Sequence, residues 1–136
     1  MSVAPAIGAR RNDDPLVTVE LELPRGRSFL AVARLVAAGL GARVGLRVDR
    51  LEDLELAIEA ALRQPLSRDT LTLALTPTPE DLQVEVGPLA AAALDSRGLE
   101  GVLSTLVDEL RTRRSGAEVW IAMRIWRPRV ASTWRP

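Results

Sequence analysis

Two groups of residues carry chemical possibility. Glu59 and Arg63 stand four positions apart in VDRLEDLELAIEAALRQ, residues 48–64. On a helix that spacing stacks a carboxylate under a guanidinium, a surface ion pair worth a few tenths of a kcal/mol. The second group is Trp120, Arg124 and Trp126, which share one side of EVWIAMRIW, residues 118–126. Tryptophan and arginine dominate the energetics of protein interfaces, so this side reads as a contact surface. An equal alternative is that Val130 and Trp134 of the following segment fold back over Trp120 and Trp126 and close that face. Base stacking is a third use of such residues, but zero net charge argues against a nucleic-acid partner.

Composition removes other chemistries. The 136 residues include no cysteine and no histidine, which excludes disulfides, thiol nucleophiles, zinc fingers and histidine acid–base catalysis. Apolar residues at 47% and charged residues at 26% describe an ordinary globular chain. Aromatic residues are only 3%, so the core must come from Leu, Val, Ile and Ala. All basic residues are arginine. No apolar run reaches membrane length and no signal-peptide pattern opens the chain, so the expected location is cytoplasmic.

The elements that must position these residues follow from periodicity. Residues 1–15 lack any period and read as a flexible leader. Residues 16–23, LVTVELEL, alternate apolar and polar, which is a strand with one wet face. Residues 28–44 form a helix rich in small residues, whose Gly39, Gly41 and Gly45 either weaken its end or admit a neighbouring backbone. In residues 48–64, Leu51, Leu54, Ile58, Ala61 and Leu62 make an apolar stripe, with Asp49 and Glu52 as a start signal and Pro65 as the stop. Residues 70–76 and 82–86 are hairpin strands joined by the turn PTPED. Leu99, Val102, Leu103, Leu106, Val107 and Leu110 give the strongest helical period, LRTRR a short strand, and residues 118–126 a final strand. Residues 127–136 have no period and read as an irregular tail. The expected fold is α/β in the α+β sense: a two-layer sandwich, its mostly antiparallel mixed sheet covered on one face by about three helices. The expected core holds Leu51, Leu54, Ile58, Leu103, Leu106, Val107, Val19, Leu21, Leu73, Val84, Ile121 and Met123.

The phrase LEDLELAIEAALRQ resembles the nucleotide-box helix of the anti-sigma-factor serine kinases, in the histidine-kinase-like (GHKL, Bergerat) ATPase superfamily. The element order is similar across residues 16–126, and LVDELRTRRSGAEVWIAMRI resembles the family's closing helix, strand, turn and strand. The resemblance implies that Glu59 matches the family's water-activating base and that Arg63 stands where the magnesium-binding asparagine belongs. The adenine-reading D-x-G-x-G falls on Val86, Gly87, Pro88, Leu89 and Ala90, which keep only Gly87. The phosphate lid falls on the alanine-rich GPLAAAALDS, and of the following glycine pair only Gly98 remains. Arg63 offers only donors, whereas Mg²⁺ takes oxygen ligands. The implied protein is therefore a regulatory binding module without enzyme activity, cofactor or metal, in which Glu59, Arg63, Gly87 and Gly98 are vestiges. The implied partners are a sigma factor or a STAS-type anti-anti-sigma protein, met by a homodimer formed near residues 16–23. The alternatives are an active ATP-dependent serine kinase with a diverged site, and an orphan structural domain.

Overall fold

Strands that alternate apolar and polar residues have one face to bury, and amphipathic helices have one stripe to bury against it. A computed structural model of the chain, which describes residues 2–3, 17–24, 26–95 and 98–128, resolves this demand in two layers. The strands are β1 (Ser2–Val3), β2 (Val19–Pro24), β3 (Thr70–Pro77), β4 (Asp81–Ala90), β5 (Glu109–Ser115) and β6 (Glu118–Trp126). The helices are α1 (Arg27–Arg43), α2 (Val48–Leu62), the single turn α3 (Ala92–Asp95) and α4 (Leu99–Leu106). The sheet order is β1-β2-β3-β4-β6-β5, and every pairing in it is antiparallel. Ser2–Val3, within the leader, pairs with Leu21 and Glu22 of β2. Residues 4–16 and the tail from 129, with Val130 and Trp134, lie outside the described residues.

Helices α1, α2 and α4 cover one face. Leu21, Leu73, Val84, Ile121 and Met123 rise from the strands to meet Ala33 and Ala37 of α1, Leu54 and Ile58 of α2, and Leu103 of α4. All are buried. Three expected core residues are only half-buried: Val19 at the start of β2, Leu51 in the first turn of α2, and Leu106 in the last turn of α4. Each lies at an element's end, where the opposing layer stops. Gly41 sets the α1–α2 spacing, because a Cβ there would come within 2.6 Å of Leu51 Cδ2 and 3.2 Å of Leu54 Cδ2. Of the two expectations for the α1 glycines, close approach therefore holds at Gly41.

Two boundaries differ from the sequence expectation. The apolar period from Leu99 to Leu110 spans two elements, since Val107 is already extended (φ −121°, ψ 161°) and Leu110 belongs to β5. Asp108 is the cause: its carboxylate accepts the Trp126 N–H at 2.8 Å and the Arg50 guanidinium at 2.7 Å, which fixes the chain onto the sheet. Strand β4 runs four residues beyond Val86 and takes in the GPLA segment, with a register shift between Val86 and Leu89. At the opposite end of the molecule, Arg68 and Ser67 bind Glu118 at 2.7 and 3.0 Å and tie the α2–β3 connection to β6. These bonds, the Arg68 one first, hold the Glu118 carboxyl below its ordinary value of 4.5.

Leu103→Ala is expected to cost about 2–5 kcal/mol in urea unfolding, and half-buried Leu106→Ala no more than about 2 kcal/mol. Equal losses would contradict this packing. A carboxyl with a lowered folded-state pKa adds stability that is complete above its unfolded value and is lost as pH falls through the folded one. Arg68→Ala should therefore raise the Glu118 pKa toward 4.5 in an NMR titration and remove that pH dependence around and below pH 4.5.

Candidate functional site

The positions implied by the family resemblance are built as follows. Glu59 and Arg63 sit at the end of α2, with Arg63 Nη2 on Glu59 Oε1 at 2.5 Å. The Arg63 side chain is 68% exposed, so the pair is the surface ion pair that the four-residue spacing predicts. Gly98 precedes α4 with φ +91°, a left-handed conformation suited to glycine, and its carbonyl accepts the Val102 N–H at 2.7 Å. Gly87 is buried in β4 beneath Trp120.

The segment matching the adenine-reading loop is strand. The Ala90 N–H donates to Pro65 O at 2.8 Å, Leu66 bridges Leu89, and Leu89 registers with Val119 of β6. A phosphate or base there would compete with bonds already made. Helices α2 and α4 pack directly, joined by Arg50 to Leu106 O at 3.2 Å. An apolar cleft of about 350 Å³ does exist between the start of α1 and the end of α2, lined by Leu23, Phe29, Leu30, Leu62, Leu66 and Leu71. Glu59 and Gly98 do not line it. The resemblance positions are thus spread over the end of α2, β4 and the start of α4.

The other group comes together. Trp120, Arg124 and Trp126 stand on the sheet face opposite the described helices, beside Thr72, Ala74, Thr76, Gln83 and Glu85. Arg124 is the hub: its Nε donates to Asp81 Oδ2 at 2.5 Å and its Nη1 to Glu109 Oε2 at 3.2 Å. The Asp81 bond, first among the causes, raises the Arg124 pKa above its ordinary value, so this cation keeps its charge. The guanidinium also lies 5.0 Å from the Trp126 ring centre, and Arg113 lies 5.8 Å from that of Trp120. Trp126 is 45% exposed. Ala74 and Ala122 floor a shallow hollow of about 260 Å³ between Arg124 and Glu85.

Asp81, like Glu109 and Arg113, is a member that sequence reasoning missed, since it reads as the last residue of a turn. It is fully buried. Thr78 Oγ1 donates to its Oδ1 at 2.6 Å, and the Asp81 N–H returns to Thr78 Oγ1 at 3.1 Å. The signal was the alternation of Asp81, Gln83 and Glu85, which puts Asp81 on the same face as Arg124 once β4 pairs with β6. Trp120 has a packing reason of its own. A Cβ on Gly87 would sit 2.6 Å from Trp120 Cδ2, so the indole occupies the space that glycine leaves.

No family model and no curated protein matches the chain. Among the described residues no cluster of acidic side chains could hold a metal ion, and no helix is long and apolar enough to cross a membrane.

Gly87→Ala is expected to displace the Trp120 indole and cost about 1–3 kcal/mol. In a Trp120→Ala background most of that cost should vanish, a coupling that a double-mutant cycle by urea unfolding measures directly.

Proposed function

We propose that this chain is a regulatory protein-binding module of the anti-sigma type that works without nucleotide. One observation carries the reading: the sheet face opposite the described helices gathers Trp120, Arg124 and Trp126 around a small-residue floor, with Arg124 held in place by Asp81 and Glu109. Oriented arginine and part-exposed tryptophan supply binding energy at little cost in side-chain entropy. The resemblance of LEDLELAIEAALRQ to the nucleotide-box helix supplies the class of partner: a sigma factor or a STAS-type anti-anti-sigma protein, met by a homodimer.

Several features support loss of the ATP reaction. Arg63 stands in the magnesium position and is paired with Glu59, the residue matching the base. Ala90 donates its amide to Pro65, and Leu89 is bridged to Leu66. Phosphoryl transfer depends on positioning and charge stabilisation together, so losing the metal ligand, the base-reading aspartate and the glycine lid removes the means of both.

Calorimetric titration with Mg-ATP is the test. No saturable heat is expected up to roughly millimolar nucleotide, the weak limit of specific binding. Micromolar affinity, or nucleotide retained through purification, would overturn the reading and promote the serine kinase.

A further inference from the structure

We infer that the sheet face opposite the described helices docks a second copy of this chain, sheet on sheet, about a two-fold axis running parallel to the strands over β4. This rests on reading that face as a contact surface and assigns it to the homodimer of that reading, which meets its sigma-factor or STAS-type partner through another surface.

Strand register orders the charges into rows. Glu20, Ala74, Glu85, Ala122 and Arg111 lie level across β2, β3, β4, β6 and β5. The next row runs Glu22, Thr72, Gly87, Trp120 and Arg113. Both rows begin with an exposed glutamate on β2 and end with an exposed arginine on β5. Along these two rows the face is acidic on the β2 side and basic on the β5 side, although the chain's net charge is zero. The row through Arg124 ends on Glu109, which pairs within the chain with Arg111 at 3.0 Å.

A two-fold axis parallel to the strands lays β2 of one copy over β5 of the other without changing level. Glu20 then faces the second copy's Arg111, and Glu22 its Arg113, so symmetry gives four such pairings. Ala74 falls over Ala122 and Thr72 over Trp120, small against small and small against large. The two Glu85 side chains meet at the axis, but each has its own Arg113 at 3.5 Å to offset the like charge. An axis perpendicular to the strands would instead set glutamate on glutamate and arginine on arginine. The charge pattern thus selects one of the two symmetries.

Size and geometry allow the contact. Five strands at about 4.8 Å and seven residues at about 3.4 Å give a face of about 24 by 24 Å. That buries about 550 Å² per copy, or about 1,100 Å² in all, just above the threshold of a specific interface. Stacked sheets turn about 30° on each other, which moves the outer strands about 5 Å, within reach of glutamate and arginine side chains. A dimer of this size held by rim charges should be weak and salt-sensitive.

Sedimentation equilibrium of the full chain tests the pairing, with E20R/E22R and R111E/R113E as variants. The wild type should dimerise at micromolar to roughly 100 µM concentration and weaken as salt rises from about 50 to 500 mM. Each variant alone should lose more than about tenfold in self-affinity, because like charges then face each other on both sides. An equimolar mixture of the two variants should recover a one-to-one dimer, since every pairing is again opposite in sign. A monomeric wild type, variants that dimerise like wild type, or a mixture that stays monomeric would each overturn the inference. If a reversal variant unfolds, as judged by circular dichroism, E20Q/E22Q and R111Q/R113Q should show the same direction of loss. A monomer that still fails to bind Mg-ATP would leave the nucleotide-free reading standing and remove only this dimer.

Discussion

The structure depends on one asymmetry: its central strands place apolar side chains on a single face. Leu21, Leu73, Val84, Ile121 and Met123 are buried together under α1, α2 and α4, while their neighbours along each strand turn the other way. A sheet with only one apolar face needs only one helical layer, which fixes the two-layer form. The helices must also lie close to one another. Gly41 permits this by leaving room for Leu51 and Leu54 of α2, and Arg50 joins α2 to the end of α4 at Leu106 and to Asp108 just beyond it. The opposite face gains its order from polar contacts, in which Asp81, fully buried, binds Thr78 on one oxygen and Arg124 on the other. A buried carboxylate is tolerable only with such satisfaction, so the Thr78–Asp81 turn and the Arg124 side chain hold each other in place.

Much of this was legible because period and burial coincide. Strict alternation identified β2, β3 and β6, and the stripe through Leu54 and Ile58 identified α2. The failures occurred where one residue fits two periods. Val107 and Leu110 continue the helical spacing from Leu99, yet Leu110 suits a strand as well, and the decision came from Asp108, whose partners Arg50 and Trp126 are remote in sequence. The extension of β4 was hidden by Gly87 and Pro88, which read as a break. What they mark is a register shift within a strand, made compatible with packing by the Trp120 indole above Gly87.

The candidate site was legible in part for the same reason. Trp120, Arg124 and Trp126 share a strand, so alternation alone put them on one side. Asp81, Glu109 and Arg113 join them only through cross-strand register, which no local pattern states. The charge rows are hidden in the same way. Eighteen basic and eighteen acidic residues cancel in composition, and only the ordering of strands separates glutamates on β2 from arginines on β5. A net charge of zero excludes a long-range field but says nothing of a polarity across about 20 Å of sheet, longer than the roughly 8–10 Å over which physiological salt screens.

The same economy of backbone bonds bears on the proposed loss of nucleotide chemistry. An amide N–H in this fold has one use at a time: it completes a ladder or it faces a ligand. A phosphate-binding loop keeps several amides out of ladders, at the expense of order, and glycine lets the backbone approach the anion. Here Pro88 has no amide hydrogen to offer, Ala90 gives its own to Pro65, and the residues that follow enter the short helix α3. Extending β4 through Ala90 therefore exchanges donors available to an anion for sheet cohesion at the β4–β6 contact, the most extensive pairing in the molecule. On the proposed reading that exchange is what converts a nucleotide-binding layout into a rigid platform: the side that would have closed over a phosphate now stiffens the strands that present Trp120, Arg124 and Trp126.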